Sequence, residues 1–316
     1  MSYEDYRYRQ RHAGACGENT ELESFLDTSD EWIRTRTGIE ERHIHDGNLE
    51  GLAAEAARRA VENAGLSISD IDFLICSSVY NRFMVPAMSC VVQGLTGAAC
   101  PCLDINGACA GFVYALEMAD AYLARGRYRN ILIVCAEEPT RMVDWTNRAT
   151  CVLFGDAAAA CVVTSGGDDV LFRMHTASNI DVLHGYNSAG NCPYDKSGRT
   201  GEAMSMNGQE VYKFAVSSAT EDIRALCETA GISLDGIDHF VLHQANLRIL
   251  EAVRARLRQP VEKFPHNLEH YGNTSSASVP LLLDELHRAG KLKAGQRLAM
   301  SAFGAGLTTG ACLLTW

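Results

Sequence analysis

Cys109, His243 and Asn273 are the residues of this chain whose types and settings best suit chemistry. Cys109 follows Leu103-Asp104-Ile105-Asn106-Gly107-Ala108 and precedes AGFVYALEMADAYLAR over 110–125, which has helical apolar spacing. A cysteine at a helix start faces unpaired N–H groups that favour a thiolate. A strand-to-helix elbow flanked by small residues also lets a substrate approach closely. His243 stands in HQANLR at the end of an apolar run, and Asn273 stands in YGNTSSAS. A thiolate attacks a carbonyl, while an imidazole and a carboxamide donate hydrogen bonds to a developing oxyanion. Free cysteine is usually an inert core residue and Gly-Asn-Thr is also turn chemistry, so the case rests on the three contexts together.

The elements that must position these residues are written twice. EAARRAVENAGLSISDID (55–72) and EDIRALCETAGISLDGID (221–238) share eight identities at an offset of 166. Each reads as a helix, a glycine turn and an apolar strand. A second echo pairs ACVVT (160–164) with ACLLT (311–315), each after a Phe-Gly turn. Two similar halves, 1–166 and 167–316, therefore meet near Ser165-Gly166-Gly167-Asp168-Asp169. Strands over 71–78, 101–105, 130–136 and 152–163 alternate with helices over 51–64, 86–95 and 110–125. Runs such as ILIVCA lack polar alternation, which suits sheets covered by helices on both faces. The fold class is α/β, and the cleft lies between the halves, with Cys109 from one and His243 and Asn273 from the other.

Composition narrows the class. The 316 residues are 47% apolar, enough for a large core, and only 8% aromatic, which favours aliphatic α/β packing. The polar N-terminus (MSYEDYRYRQRH) does not read as a signal peptide, and no apolar run is long enough to span a membrane. The twelve cysteines are irregularly spaced, without a C-x-x-C pair or a zinc spacing, and most lie in apolar runs. These features predict a cytoplasmic, metal-free protein with reduced thiols. A net charge of −11 argues against nucleic-acid binding.

With these residues assembled, the chain resembles the β-ketoacyl-acyl-carrier-protein synthase III family of thiolase-fold condensing enzymes. The resemblance runs from about residue 21 to the C-terminus. It is carried by DTSDEWIRTRTGIEERHI (27–44), ACAGF (108–112), RATCVLFGD (148–156), HQANLRI (243–249), YGNTSSASVP (271–280) and AFGAGLTTG (302–310). A Cys-His-Asn set is similar to that family rather than to its Cys-His-His elongating relatives or to thiolases with a second catalytic cysteine. The sequence departs from the family pattern at residues 1–20, which carry no apolar first strand. It departs again at Asn106-Gly107-Ala108, at Ala305 within a usual glycine triplet, and at Thr309, where tryptophan is frequent.

The resemblance implies a layered αβαβα fold and a decarboxylative Claisen condensation. Cys109 takes an acyl group from acyl-CoA, and the backbone N–H groups of Cys109 and Ala305 form an oxyanion hole. His243 and Asn273 stabilise the enolate from malonyl-acyl carrier protein. Trp32, Arg36, Arg148 and Arg248 bind CoA, which is substrate and not cofactor. Phe154 and Phe303 line the acyl pocket, and Val85 floors it from the partner chain of a homodimer. Ser29 would cap the helix that begins beside Trp32. The basic run LRILEAVRARLR (247–258), an island in an acidic chain, would dock the acidic carrier protein through Arg248 and Arg256, with Lys213 nearby. The alternatives are an acyltransferase that loads without condensing, against which Asn273 argues, and a specialised-metabolite starter synthase using a longer or unusual acyl-CoA; a papain-like hydrolase and a non-enzymatic copy are disfavoured.

Overall fold

The computed structural model describes residues 14–166, 170–185 and 203–316. In chain order the first part holds β1 (Gly14–Glu18), α1 (Asp30–Thr37), β2 (Glu41–His45), α2 (Leu49–Asn63), β3 (Phe73–Ser77), α3 (Met88–Thr96) and β4 (Cys102–Ile105). It continues through α4 (Gly111–Ala124), β5 (Asn130–Glu137) and β6 (Ala157–Thr164). The remainder holds β7 (Leu171–Thr176), β8 (Leu183–His184), β9 (Ser205–Met206), α5 (Gly208–Ala230), β10 (His239–Leu242), α6 (Leu247–Leu257), α7 (Ser278–Arg288), β11 (Arg297–Gly304) and β12 (Thr308–Thr315).

Two four-stranded sheets run β4-β3-β5-β6 and β10-β11-β12-β7. β3 pairs parallel with β5, which pairs antiparallel with β6; β10, β11 and β12 repeat that pattern of directions. The sequence echoes fall on equivalent elements: α2 to β3 matches α5 to β10, and β6 matches β12. Gly65 and Gly231 end the paired helices in the left-handed region, at φ of 68° and 66°, where a Cβ would be strained. Gly166 is the last described residue of the expected linker, whose residues 167–169 lie outside the described ones.

Five layers result. α4 packs on β3 and β5 from one side and on β11 and β12 from the other, and α7 touches both β6 and β10. These two helices form the middle layer. α2 and α3 cover the outer face of the first sheet, and α5 and α6 that of the second. β5 shows why its sequence does not alternate: Ile131, Ile133 and Cys135 face the middle layer, while Leu132, Val134 and Ala136 face α2 and α3. Both faces are apolar because both are covered.

Two expectations change. The strand expected over 152–163 begins at Ala157. Residues before it turn instead, with the Asp156 carboxylate accepting the N–H groups of His45 and Thr140 and the Thr140 hydroxyl. A first strand does exist, although its sequence is not apolar: β1 pairs antiparallel with β2. The buried Arg42 guanidinium holds this strand pair by donating to the Gly17 carbonyl, the Asn19 side chain and the Val152 carbonyl. Hydrogen bonding there does what apolar burial does in other strands. Residues 1–13 lie outside the described ones.

Candidate active site

β4 delivers the chain to Cys109 through a tight elbow. Ala108 adopts φ of 49°, in the left-handed region, and its N–H donates to the Asn106 side chain at 3.1 Å. Ala108–Ala110 form a single 3-10 turn that leads into α4. Gly304, at the end of β11, lies against this elbow: a Cβ there would sit 2.7 Å from the Cys109 backbone nitrogen. Ala305 follows outside the left-handed region, so its Cβ brings no backbone strain.

His243 is the first residue after β10, 1% exposed, with its ring edge-on to Phe303 at 5.2 Å between centroids. Its Nδ1 lies 2.7 Å from the Ser278 hydroxyl at the start of α7. Burial pushes its pKa down to about 3, so the imidazole is neutral. Asn273 is held by the other half of the chain: its N–H donates to the Leu153 carbonyl and its carbonyl accepts the Gly155 N–H. Its side-chain oxygen accepts the Ser275 N–H at 2.9 Å.

The three residues share one cavity of about 850 Å³. Its wall also includes Trp32, Arg36, Arg148, Arg248, Phe154, Phe303 and Ala305. Ser29 caps α1 by accepting the Trp32 N–H at 3.1 Å, which fixes the indole at the mouth. The Arg36 and Arg148 guanidinium carbons lie 4.6 and 5.0 Å from its ring centroid, and Arg248 donates to the Thr35 carbonyl. An aromatic face with three guanidinium groups suits a phosphorylated nucleotide.

Three expected site residues stand apart from this cavity. Val85 is 81% exposed, beside the exposed Phe83 and Met84, and does not line the cavity of its own chain. Lys213 pairs with Glu210 at 2.7 Å, and Arg256 reaches the Ser217 hydroxyl at 3.4 Å on the surface of α5 and α6. The basic island is also smaller than its sequence suggests, because Arg254 forms an ion pair with Glu251 at 2.6 Å.

Burial pushes the Cys109 pKa up to about 12; the Ser275 hydroxyl opposes this, and the nearby Glu137 carboxylate adds to it. Cys109 is nonetheless only half-buried and lines the cavity, in the turn that leads into α4, where unpaired N–H groups favour a thiolate. Ser275, Ser278 and Glu137 were not singled out from the sequence. The serines stood in the quoted TSSAS run, but nothing in their spacing shows which of them faces Cys109 or His243.

Residues 103–179 match the family model described as 3-Oxoacyl-[acyl-carrier-protein (ACP)] synthase III, and residues 227–316 match that of its C-terminal region. The chain is 43% identical to a beta-ketoacyl-[acyl-carrier-protein] synthase III of Clostridium perfringens, over 94% of each chain. The crystal structure of the Aquifex aeolicus 3-oxoacyl-[acyl-carrier-protein] synthase III superposes with a TM-score of 0.87 at 39% identity, covering 95% of this chain and 96% of that one. The chain belongs to the 3-oxoacyl-[acyl-carrier-protein] synthase III family. It is a condensing acyltransferase with the α/β thiolase-type fold of that family. The priming beta-ketosynthase of the R1128 polyketide pathway is also similar, with a TM-score of 0.88 at 34% identity over 95% of this chain and 92% of that one. Membership of this synthase III family removes the papain-like hydrolase reading. Among the described residues no cluster of three His, Cys, Asp or Glu side chains converges as a metal site, and no helix is long and apolar enough to cross a membrane.

Proposed function

We propose that this enzyme joins an acyl-CoA primer to malonyl-acyl carrier protein by decarboxylative Claisen condensation, giving a 3-ketoacyl-acyl carrier protein. The observation that carries this reading is the convergence on one cavity of a nucleophile, a neutral histidine and a fixed carboxamide. Cys109 attacks the primer thioester, with the backbone N–H groups of Cys109 and Ala305 receiving the oxyanion. CoA is released, and the malonyl thioester enters the same cavity. Loss of carbon dioxide leaves an enolate, which needs hydrogen-bond donors at its oxygen.

His243 and Asn273 are those donors. Ser278 accepts the Gln244 N–H at 3.4 Å, and when it donates its own proton to His243 Nδ1 the neutral ring carries its N–H on Nε2. The Asn273 oxygen is already engaged by Ser275, which leaves its NH₂ group to donate. Simple acyl transfer to an alcohol or amine has no use for this second donor. The reaction as written uses CoA thioester as substrate and needs no cofactor.

The remaining assignments follow from the surface. Trp32, Arg36, Arg148 and Arg248 at the mouth hold CoA, and Arg248, Arg256 and Lys213 face the acidic carrier protein. β4 is the edge of its sheet, and the loop before α3 exposes Phe83, Met84 and Val85. A second copy docked there would cover both, giving a homodimer in which Val85 floors the partner's acyl pocket beyond Phe154 and Phe303. The halves 1–166 and 167–316 are then two domains sharing one site, in an enzyme of the cytoplasm. The test is intact-mass spectrometry after incubation with a panel of acyl-CoAs and then malonyl-acyl carrier protein. An acyl adduct on Cys109 that is discharged by the carrier thioester is expected. No adduct with any primer, or an adduct that malonyl-acyl carrier protein leaves in place, overturns the reading.

A further inference from the structure

The cysteines carry no spacing motif, yet the fold brings two of them together away from the active site. Cys90, in the first turn of α3, and Cys102, the first residue of β4, have their sulfurs 3.6 Å apart. Cys90 is exposed and Cys102 is half-buried, and neither lines the cavity. The contact is bracketed on both sides. Two residues after Cys102, the Asp104 carboxylate accepts the Met88 and Ser89 N–H groups at 2.7 and 2.8 Å. Two residues before it, the Cys100 carbonyl accepts the Gln93 side-chain amide at 2.6 Å. α3 is thus fastened to the β4 segment ahead of Cys90 and behind it. Bonds that do not involve the sulfurs hold them in register.

Sulfurs at 3.6 Å are in van der Waals contact, and a disulfide needs ~2.0 Å, a gap that small side-chain rotations close. Because the partner thiol is already in place, exchange at one cysteine is followed by an intramolecular step. The two thiols differ in access. Cys90 meets solvent, whereas Cys102 packs with the buried Cys76 and Cys100 in the core beneath α3. The exposed member receives a reagent and the covered one resolves it.

We infer that Cys90 and Cys102 are a thiol–disulfide exchange site that takes small soluble disulfides of the glutathione class and closes into a bridge between α3 and β4. Cys90 Sγ attacks one sulfur of the soluble disulfide. A mixed disulfide forms, the soluble S–S bond breaks, and one small thiol leaves with the Cys90 proton. Cys102 Sγ then attacks the Cys90 sulfur. The protein S–S bond forms, the mixed disulfide breaks, and the second small thiol leaves with the Cys102 proton. Two protein thiols lose two electrons, and the soluble disulfide is reduced to two thiols. Excess small thiol reverses both steps. The bridge fixes the start of α3, directly after the loop that exposes Phe83, Met84 and Val85. The inference stands apart from the condensing chemistry.

The test exposes the full chain to oxidised and reduced glutathione in varied ratio, quenches with acid, and reads intact mass and peptides. Cleavage at Leu95 and at Asp104 parts Cys90, Cys102 and Cys109 from one another. Wild type should lose two hydrogens, with Cys90 and Cys102 joined, and excess reduced glutathione should restore them. In Cys102→Ser, glutathione should persist on Cys90 about 10²-fold longer than in wild type, because no resolving thiol remains. Cys100→Ser should keep the bridge. The pair lies beside the sheet edge proposed above for a second copy, so a bond between copies is the rival outcome. A bond found only between copies, a bridge lost in Cys100→Ser, or equal persistence of glutathione in wild type and Cys102→Ser overturns the inference. If the serine variants do not fold, wild type decides alone: no Cys90–Cys102 bridge at any ratio overturns it.

Discussion

The side-chain oxygen of Asn273 accepts the backbone N–H of Ser275 at 2.9 Å, and this bond decides which end of the amide serves the cavity. An amide with its oxygen engaged can only donate from its nitrogen. The His243 ring is held through Nδ1 by Ser278 at 2.7 Å. Both side chains are therefore oriented before a substrate arrives, and a preorganised group costs no reorganisation during reaction.

Loading and condensation should separate by mutation. Cys109→Ala should give no acyl adduct in intact-mass spectra. His243→Ala and Asn273→Ala should load primer, with His243→Ala partly slowed, yet condense about 10²–10³-fold more slowly. An adduct forming on Cys109→Ala at the wild-type rate would remove Cys109 from the mechanism.

Charge reversal should distinguish the two arginines. Arg248 lines the cavity and donates to Thr35, whereas Arg256 lies further along α6 outside the cavity. Arg248→Glu should raise KM for both acyl-CoA and malonyl-acyl carrier protein. Arg256→Glu should impair only the carrier protein, and the defect should shrink in high salt because rim charges act on encounter. Unchanged carrier kinetics for Arg256→Glu at low salt would show that it is solvated surface alone.

Primer length should respond to Val85. Valine leaves room that a larger residue would fill, and each buried ligand CH₂ contributes ~0.8 kcal/mol. Two or three further carbons then shift preference by about one to two orders of magnitude. Val85→Phe should move selectivity toward acetyl-CoA in a kcat/KM series over primers of increasing length. Indistinguishable series for the two proteins would place Val85 outside the acyl pocket. A monomer by sedimentation at assay concentrations would do so too.

Stability should carry the signature of the buried histidine. The folded pKa of His243 is lowered from 6.5 to about 3, so below pH 6.5 the unfolded chain binds a proton that the folded one refuses. Its contribution is complete above pH 6.5 and is lost as pH falls toward 3, by up to about 1.4 kcal/mol per pH unit. Glu137 acts oppositely: its pKa is raised from 4.5 to about 7, so its contribution is present below 4.5 and lost as pH rises through 7. Urea unfolding of wild type and His243→Gln on the acid side should show the variant gaining relative stability as pH falls below 6.5. Parallel stability curves for the two proteins would contradict a buried neutral His243.

Local chemistry along the chain determined a good deal here. The apolar runs, the glycine turns after α2 and α5 and the repeated segments mark the elements, because burial pattern and backbone freedom are properties of neighbouring residues. The contexts of Cys109, His243 and Asn273, and of the Trp32 and arginine set, were legible because each lies in its own short motif. Tertiary structure alone decided what depends on residues far apart. The buried Glu137 carboxylate at the end of β5 accepts the Val79 N–H and the hydroxyls of Ser275 and Ser276, and 138 residues of chain separate Glu137 from Ser275. The setting of Cys109 divides in the same way: a helix start is visible in sequence, whereas the burial that pushes its pKa up is set by packing across the whole fold.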